Sequence, residues 1–566
     1  MMKTVAPTSK KKQKSISPIK FFPRKQRKIV DPEAQQLVST LLGDKPRKKD
    51  LLIEHLHLLQ DHVGYLDVKH LHALATEMKI STTEVHEVAT FYHHFEIVKE
   101  GDTPPPALTV RVCESLSCCM AGSDELTASL INNLGDSVRI QKVPCIGRCA
   151  EAPVAVVGTY PIDKANLQTV TEAINNNKVE DLPVNGWIGY KQFCKKGGYK
   201  ILNRCLNKEI TPDDIINRLK DSSLRGLGGA GFPVGLKWEI VSSHDAPRLM
   251  AVNIDEGEPG TFKDRHYLET NPHQFFEGML IAANTVGINI IYIYLRDEYA
   301  GIRKILTEEL ELLKVNRTHL PEIHLRRGAG AYICGEESAM IESLEGKRGM
   351  PRLRPPFVAE VGLFGKPTLE HNMESLYWVP TILEKGAEWF TRHGRHDRKG
   401  LRSFSVSGRV VKPGVHLAPA GITISELIEE YCGGMLPGHS FYGYFPGGAS
   451  GGMLPASMDN IPLDFDTLNE YGCFIGSAAI VVFSDKDSAK ELAINAMHFF
   501  EHESCGQCTP CRVGTAKAAN LMHEKKWDID LLTELSEVMQ DASICGLGQA
   551  APNPLLCTIK YFSEEL

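Results

Sequence analysis

The sequence has no uninterrupted apolar run approaching the roughly 20 residues that a bilayer crossing needs, and no secretory leader pattern opens it. It is therefore expected to work in a reducing, cytoplasmic setting, where its fifteen cysteines are not a disulfide framework. Acidic residues are missing from residues 1–30, which carry ten Lys or Arg, a KKKQK run and no periodicity. That composition predicts a disordered arm, solvated or docked on an acidic partner. Beyond it the balance reverses to 53 basic against 70 acidic residues, and no basic face or reader motif is present. Nucleic-acid binding is thereby excluded.

The chain does have length and cysteine pattern. Its 566 residues, 42% of them hydrophobic, can bury several cores. Near the end, Cys505, Cys508 and Cys511 in ESCGQCTPCR are followed by Cys545 in SICGLGQ, a three-plus-one thiolate set that suits a [4Fe-4S] cube. Far upstream, Cys113 and Cys118 (CESLSC) precede Cys145 and Cys149 (CIGRC), four thiolates that suit a [2Fe-2S] rhomb. Each pair follows a strand-like run, LTVRV or VRIQKV, so both lie on loops leaving strands. Cys119 competes with Cys118 as a ligand, and structural zinc is the competing reading of each set. Two cluster signatures in one chain point to electron transfer.

Between the arm and the first cysteines, DLLIEHLHLLQDHV and TTEVHEVATFYHHF repeat apolar residues at three and four, predicting a helical bundle over 31–100. Its histidines are His55, His57, His70, His72, His86, His93 and His94; close neighbours such as His55 with His57 and His93 with His94 are one or two apart and point to different helix faces, so they read as surface or packing residues. After Pro104–Pro106, alternating strands and helices over 106–185 predict a thioredoxin-sized α/β unit.

Further on, Gly226, Gly228 and Gly231 in SLRGLGGAGFPVGLKW formally match G-x-G-x-x-G. The preceding TPDDIINRLK looks helical and Pro233 interrupts the run after the glycines, so the Rossmann strand-turn-helix context is missing. The glycines still allow close approach to a phosphate or flat ring, with Arg225 and Lys237 placed to grip an anion from both ends, and a plain glycine turn is the alternative. Two acidic, glycine-bearing loops follow strand-like runs: VNIDEGEPGTFKDR after RLMAV, and GAGAYICGEESAMIESLEGKRGMPRLRPPF after EIHLRR. Carboxylates at strand exits are positioned for ribose hydroxyls and ring nitrogens.

From Lys208 to the end, these motifs in this order resemble the NADH-binding flavoprotein subunit of respiratory complex I and its soluble relatives. Residues 31–185 resemble the small [2Fe-2S] subunit of the same systems, fused in front. The resemblance implies an α/β multidomain fold: helical bundle, thioredoxin-like [2Fe-2S] domain, Rossmann-like FMN- and NAD(H)-binding domain (186–394), ubiquitin-like β-grasp (SLBB) domain (395–485) and helical [4Fe-4S] domain (486–566). It also implies that Gly226, Gly228, Lys237, Asn253, Asp255, Tyr332, Gly335 and Asn372 contact FMN. Glu258, Glu336 and Glu337 would lie near the flavin and nicotinamide ribose, Phe232 and Phe357 would sandwich adenine, and Glu337 and Glu258 would tune or place the reacting rings.

Three positions depart from the family pattern. Ile240 replaces a phenylalanine and cannot stack, Arg354 replaces a lysine with a planar fork, and His371 replaces the first of two asparagines, which questions one flavin-phosphate contact. The ICGLGQAAPNP segment, PGGASGGMLPASM and the fused front look most like the diaphorase (beta) subunit of bacterial NAD-dependent formate dehydrogenases. The implied partner is a molybdopterin- or tungstopterin-containing alpha subunit in a hetero-oligomer, since this chain has no pterin site evident in its sequence. The alternatives are the diaphorase subunit of an NAD-reducing hydrogenase, the complex I subunit, and a non-catalytic cluster scaffold.

Overall fold

The computed structural model describes residues 30–566, so the arm predicted over 1–30 lies, except for Val30, outside the described residues. The front unit is four helices, Pro32–Leu42, Leu52–Val63, Val68–Met78 and Thr82–Ala89. Residues three and four apart supply their buried faces, as with Ile53, Leu56 and Leu59. Asp31 caps the first through Ala34 N, and a Ser81–Glu84 capping box opens the fourth, a feature worth about 1 kcal/mol. The fourth helix is shorter than TTEVHEVATFYHHF suggests, stopping at Ala89. The aromatic residues beyond turn onto the flavin domain instead: Tyr92 Oη donates to Lys347 O at 2.7 Å and lies 2.8 Å from Ser343 Oγ, which is free to donate to it.

The next unit is a mixed four-stranded sheet in the order β2-β1-β3-β4, with β1 Leu108–Cys113, β2 Val138–Val143, β3 Ala155–Val157 and β4 Tyr160–Ile162. Strands β1 and β2 run parallel, while β3 and β4 are antiparallel to their neighbours. Helices Ser123–Leu134 and Leu167–Asn175 complete this thioredoxin-like layer.

Four parallel strands form the central sheet: β5 Arg248–Ile254, β6 Ile288–Leu295, β7 Glu322–Arg327 and β8 Thr368–Asn372, in the order β8-β5-β6-β7. The central strands β5 and β6 (RLMAVNI and INIIYIYL) read as near-continuous apolar runs because both faces are covered, chiefly by helices Pro272–Val286 and Ala300–Asn316, whereas the edge strands β7 (EIHLRR) and β8 (TLEHN) carry polar residues. The chain progresses outward from β5 to β7, then returns to place β8 on the other side of β5. That reversal makes the β5/β8 junction the switch point, where an open parallel sheet leaves a crevice at its carboxyl ends.

A five-stranded sheet comes next, ordered β10-β9-β13-β11-β12, with β9 Leu401–Gly408, β10 Gly414–Pro419, β11 Phe441–Phe445, β12 Leu454–Pro455 and β13 Ala479–Ser484, and one helix, Ile424–Glu430. The chain ends in helices Ala489–Glu503, Thr509–Met522, Ile529–Ala542, Gly546–Ala550 and Asn553–Tyr561. Among the described residues no helix is long and apolar enough to cross a membrane.

Candidate functional site

Register pairs Asn253 with Asn372 at the carboxyl ends of β5 and β8, and a cavity of about 370 Å³ opens directly above them. Gly228, Asn253, Asp255, Glu258, Tyr332, Gly335, Glu336 and Asn372 line it, which brings eight of the expected cofactor contacts together. The glycine loop reaches the cavity without the Rossmann context. It runs between helices Pro212–Asp221 and Val234–Ser243, and is pinned by Gly226 N to Phe232 O (2.8 Å) and by Leu227 N to Ser375 Oγ (2.8 Å).

The rim is built so that backbone, not side chain, faces the space. A Cβ on Gly228 would stand 2.9 Å from Asn372 Cβ, and one on Gly335 would stand 3.2 Å from Asp255 O. Asn253 spends its amide on Gly335 O (2.9 Å) and Asp255 N (2.9 Å). Asn372 likewise holds Glu374 N (3.0 Å) and Asp264 Oδ2 (2.7 Å). Asp255 keeps a buried Oδ2 with no hydrogen-bond partner, and burial pushes its carboxyl well above the usual range. A glycine-walled crevice with one unspent acceptor fits a flat ring system with ribityl and ring N–H donors, so the residues present fit FMN.

Part of this wall escapes sequence reasoning. Lys263 is buried and pairs with Asp264 (2.7 Å) and Glu374 (3.0 Å), while Glu256 accepts from Asp264 N (2.8 Å) and Tyr299 Oη (2.8 Å). Burial raises the Asp264 carboxyl, and Lys263 opposes that rise. Lys263 and Asp264 lie in the quoted VNIDEGEPGTFKDR motif, but the second carboxylate on Lys263, Glu374, is over a hundred residues away. Gly447, Ser450, Phe474, Gly476 and Ser477 of the β-grasp unit also line the cavity, as do Gly546, Leu547 and Ala550. No local spacing announces them.

Glu258 is fully engaged: Oε2 accepts from Tyr332 Oη, and Oε1 accepts from Ser450 N (2.7 Å) and Oγ (2.9 Å). Its place is to hold Tyr332 and the β-grasp loop at the wall.

The other expected contacts lie away from this lining. Arg225 and Lys237 do not grip an anion from both ends. Arg225 pairs with Asp466 and lies over the Phe465 ring, whereas Lys237 donates to Glu370 O (3.0 Å) and Oε2 (3.1 Å). Each cation is drawn to a nearer carboxylate. Glu336 caps helix Glu337–Leu344 through Ser338 N and Ala339 N and also pairs with Arg354, whose other nitrogen reaches Glu337 Oε1 at 3.0 Å. Burial, with Glu370 adding repulsion, raises the Glu337 carboxyl. Phe232 and Phe357 are 41% and 51% exposed, as open stacking faces are, and Ile240 is partly exposed. Gly226 closes the loop base rather than the cavity wall. His371 is buried and accepts from Trp238 Nε1 at 2.7 Å, so its ring is spent inside the domain.

The upstream cysteines converge. Register of β1 on β2 matches Cys113 to Val143, so both loops leave from one end of the sheet. Cys145 and Cys149 Sγ are 3.2 Å apart, Cys113 packs with Cys118, and the neighbouring Cys118 and Cys145 thiols raise the Cys113 thiol. All four are buried, whereas Cys119 is only half-buried, its thiol pushed up to about 11 by burial and by the Asp124 and Glu491 carboxylates. Cys118 thus packs with Cys113 in the buried set, and Cys119 does not. Cys145 and Cys149 pack on Phe262, and Gly260 N–H faces Cys149, so the loop from Asp255 to Phe262 carries flavin-cavity wall on one side and cluster thiols on the other.

Downstream, Cys505 and Cys508 lie between helices Ala489–Glu503 and Thr509–Met522, Cys511 lies in the first turn of the latter, and Cys545 caps Gly546–Ala550. Burial pushes Cys511 up to about 11 and Cys545 up to about 12, and each also feels the Cys505 thiolate. Gly546, next to Cys545, lines the flavin cavity.

Comparison with known proteins agrees with this layout. Models of the thioredoxin-like [2Fe-2S] ferredoxin, the Nuo51 FMN-binding domain and the NADH-ubiquinone oxidoreductase-F iron-sulfur binding region match residues 35–178, 219–381 and 491–566. The chain is 41% identical over 385 residues to the second NADH-quinone oxidoreductase F-subunit of Rhizobium meliloti (strain 1021), covering 65% of this chain and 91% of the relative. It is 41% identical over 392 residues to the NADH-quinone oxidoreductase F-subunit of Aquifex aeolicus (strain VF5), covering 66% and 89%. An NAD+-reducing [NiFe]-hydrogenase crystal structure in the H2-reduced state has a chain similar over 92% of both, with 30% identity and a TM-score of 0.80. Cofactors follow from these domains: FMN, one [2Fe-2S] and one [4Fe-4S] cluster, with NAD as the nucleotide.

Proposed function

The chain belongs to the family of NADH-quinone oxidoreductase F-subunits, and from that premise we propose that it is the NAD(H)-linked diaphorase subunit of a hetero-oligomeric oxidoreductase. FMN, when bound, exchanges hydride with nicotinamide and single electrons with a cluster. The observation that carries the reading is adjacency. One loop, Asp255–Phe262, separates the flavin cavity from the [2Fe-2S] thiols, and one residue, Gly546, separates it from Cys545.

The chain's own side chains bind and orient. Phe232 and Phe357 offer exposed rings to adenine, and Arg354, held by Glu336 and Glu337, offers a planar cation to the dinucleotide phosphates. Asp255 offers its free Oδ2 to a flavin donor, while Gly228, Gly335, Asn253 and Asn372 shape the crevice, Gly226 closes the base of the glycine loop, and Lys237 is held by Glu370. Glu258 fixes Tyr332, and Glu337 places the nicotinamide end. No side chain is required as a nucleophile. Removing FMN from the purified complex should abolish NADH:ferricyanide reductase activity, and full activity without flavin would overturn the assignment.

For the partner we propose a formate dehydrogenase alpha subunit with molybdopterin or tungstopterin, supported by ICGLGQAAPNP around Cys545. Full-length likeness to a chain of an NAD+-reducing [NiFe]-hydrogenase supports a second reading, a nickel partner. Metal analysis of the co-purified large subunit separates them. Nickel with H2-dependent NAD+ reduction would sink the formate reading.

A further inference from the structure

Three side chains from opposite ends of the chain meet on the wall of a cavity of about 240 Å³, enclosed by the front bundle, the [2Fe-2S] unit, the flavin domain and the cluster helices. His93 follows the last front helix, while His502 and Glu503 end helix Ala489–Glu503. One ligand atom from each lies within 4.8 Å of the other two. The imidazoles of His93 and His502 stack with centroids 4.1 Å apart and planes inclined by 24°. Glu503 is buried, receives Tyr332 N–H at 2.9 Å, and has no basic side chain within ion-pair distance among the described residues. A buried carboxylate without a cation is costly.

We propose that His93, His502 and Glu503 bind a divalent cation of zinc's class, which staples the front bundle to the cluster domain. Two imidazoles and one carboxylate are a borderline-metal donor set. A tetrahedral ion holding ligands at about 2.0–2.2 Å spaces them roughly 3.3–3.5 Å apart, so the observed triangle must contract by about 1.3 Å. Ring rotation supplies that contraction: stacked rings aim their lone pairs side by side, and turning one about its Cβ–Cγ bond makes the two converge. Both histidines are exposed enough to turn, and the adjoining cavity gives them room. Glu503 is the fixed point, and His93 is tethered through its own N–H to Gly330 O at 3.3 Å. The fourth position is left to water. Because Glu503 stands two residues before Cys505, the staple would anchor the cube's first ligand to the fused front half.

The test uses the purified, FMN- and cluster-loaded complex after passage over a chelating resin, titrated calorimetrically with Zn2+ alone. One tight, saturable site of about one ion per chain is expected. His93→Ala and His502→Ala should each weaken it tenfold or more, with FMN and iron content unchanged. The exposed pair His498 and His523, with Nε2 atoms 2.6 Å apart, is the competing zinc trap, and His523→Ala should leave the tight site intact. No saturable binding, or a tight site lost in His523→Ala and kept in His93→Ala, overturns the proposal. Should His93→Ala lose flavin, His93→Gln is read by zinc-edge X-ray absorption: one imidazole fewer than wild type supports the staple, and an unchanged spectrum overturns it.

Discussion

Arg296 donates from Nη2 to the carbonyl oxygen of Cys145 at 2.7 Å, and from Nη1 to the carbonyl oxygen of Glu256. Its Nε and Nη2 also hold Glu298 at 3.1 and 2.6 Å. One buried guanidinium thus joins the [2Fe-2S] loop to the loop that walls the flavin cavity. Only a planar fork of several donors reaches three partners at once, which is why lysine would not substitute.

Arg296→Met should destabilise the protein by about 3–5 kcal/mol, because Glu298 and two carbonyls are left buried and unpaired. It should also lower the [2Fe-2S] potential, since a cation beside the cluster favours the extra electron. A tenfold change is about 59 mV for one electron, so a drop on the order of tens of millivolts is expected. Redox titration followed by EPR reads it, with Arg296→Lys recovering part of the potential but less of the stability. An unmoved potential in Arg296→Met would remove Arg296 from the electron path.

What was legible in the sequence was local. Cysteine spacing, the strands before acidic loops and the helix before the glycine loop all depend on neighbours within a few residues, and the structure has strands β1, β2, β5 and β7 and helix Pro212–Asp221 there. Long-range pairings were not legible. Lys263 finds Glu374, Lys237 finds Glu370, and Ser450 closes on Glu258, each across a distance that no spacing rule spans. The same limit explains His93: it and His94 lie beyond the helix that ends at Ala89 and line one cavity, and its partner His502 comes from the other end of the chain. Helical periodicity also overran Ala89, because Phe91 and Tyr92 repeat at helical spacing while packing on another domain.

The two glycines expected at the flavin separate cleanly by substitution. In Gly228→Ala the new methyl meets Asn372 Cβ at 2.9 Å on the cavity rim, whereas in Gly226→Ala the nearest atom is 3.5 Å away. Overpacking of that kind costs about 1–3 kcal/mol. FMN affinity should therefore fall roughly 10- to 100-fold in Gly228→Ala and change little in Gly226→Ala, as read by flavin fluorescence per chain. Equal retention of FMN by both variants would mean that the flavin does not use this rim.

Cys545→Ser tests the relay. Cys545 precedes Gly546, which lines the cavity, while Cys545 itself does not, and it is proposed as the fourth ligand of the cube. Iron should fall by the cube's share, FMN should stay, and NADH:ferricyanide reductase activity should persist. Partner-driven NAD+ reduction should collapse. Survival of that reduction at full rate would place the cube off the main path.

Acid should loosen the front bundle through His57. Its Nε2 donates to Gly328 O at 2.8 Å across the seam with the flavin domain, a bond that either protonation state can make, so it is burial that disfavours the charged ring. Burial is the main cause that holds its pKa down at about 4; Arg327 also lowers it, and Asp297 and Asp61 oppose it. The folded value lies below the ordinary 6.5, so below pH 6.5 the unfolded chain takes up a proton that the folded chain refuses. The stability tied to neutral His57 is complete above pH 6.5, is lost as pH falls to about 4, and levels off below that. The loss amounts to about 3 kcal/mol at most. His57→Gln keeps a donor for Gly328 O but cannot titrate, so its melting temperature should fall less steeply than wild type between pH 6.5 and 4. Identical slopes in the two proteins would show that the seam's acid sensitivity lies in another group.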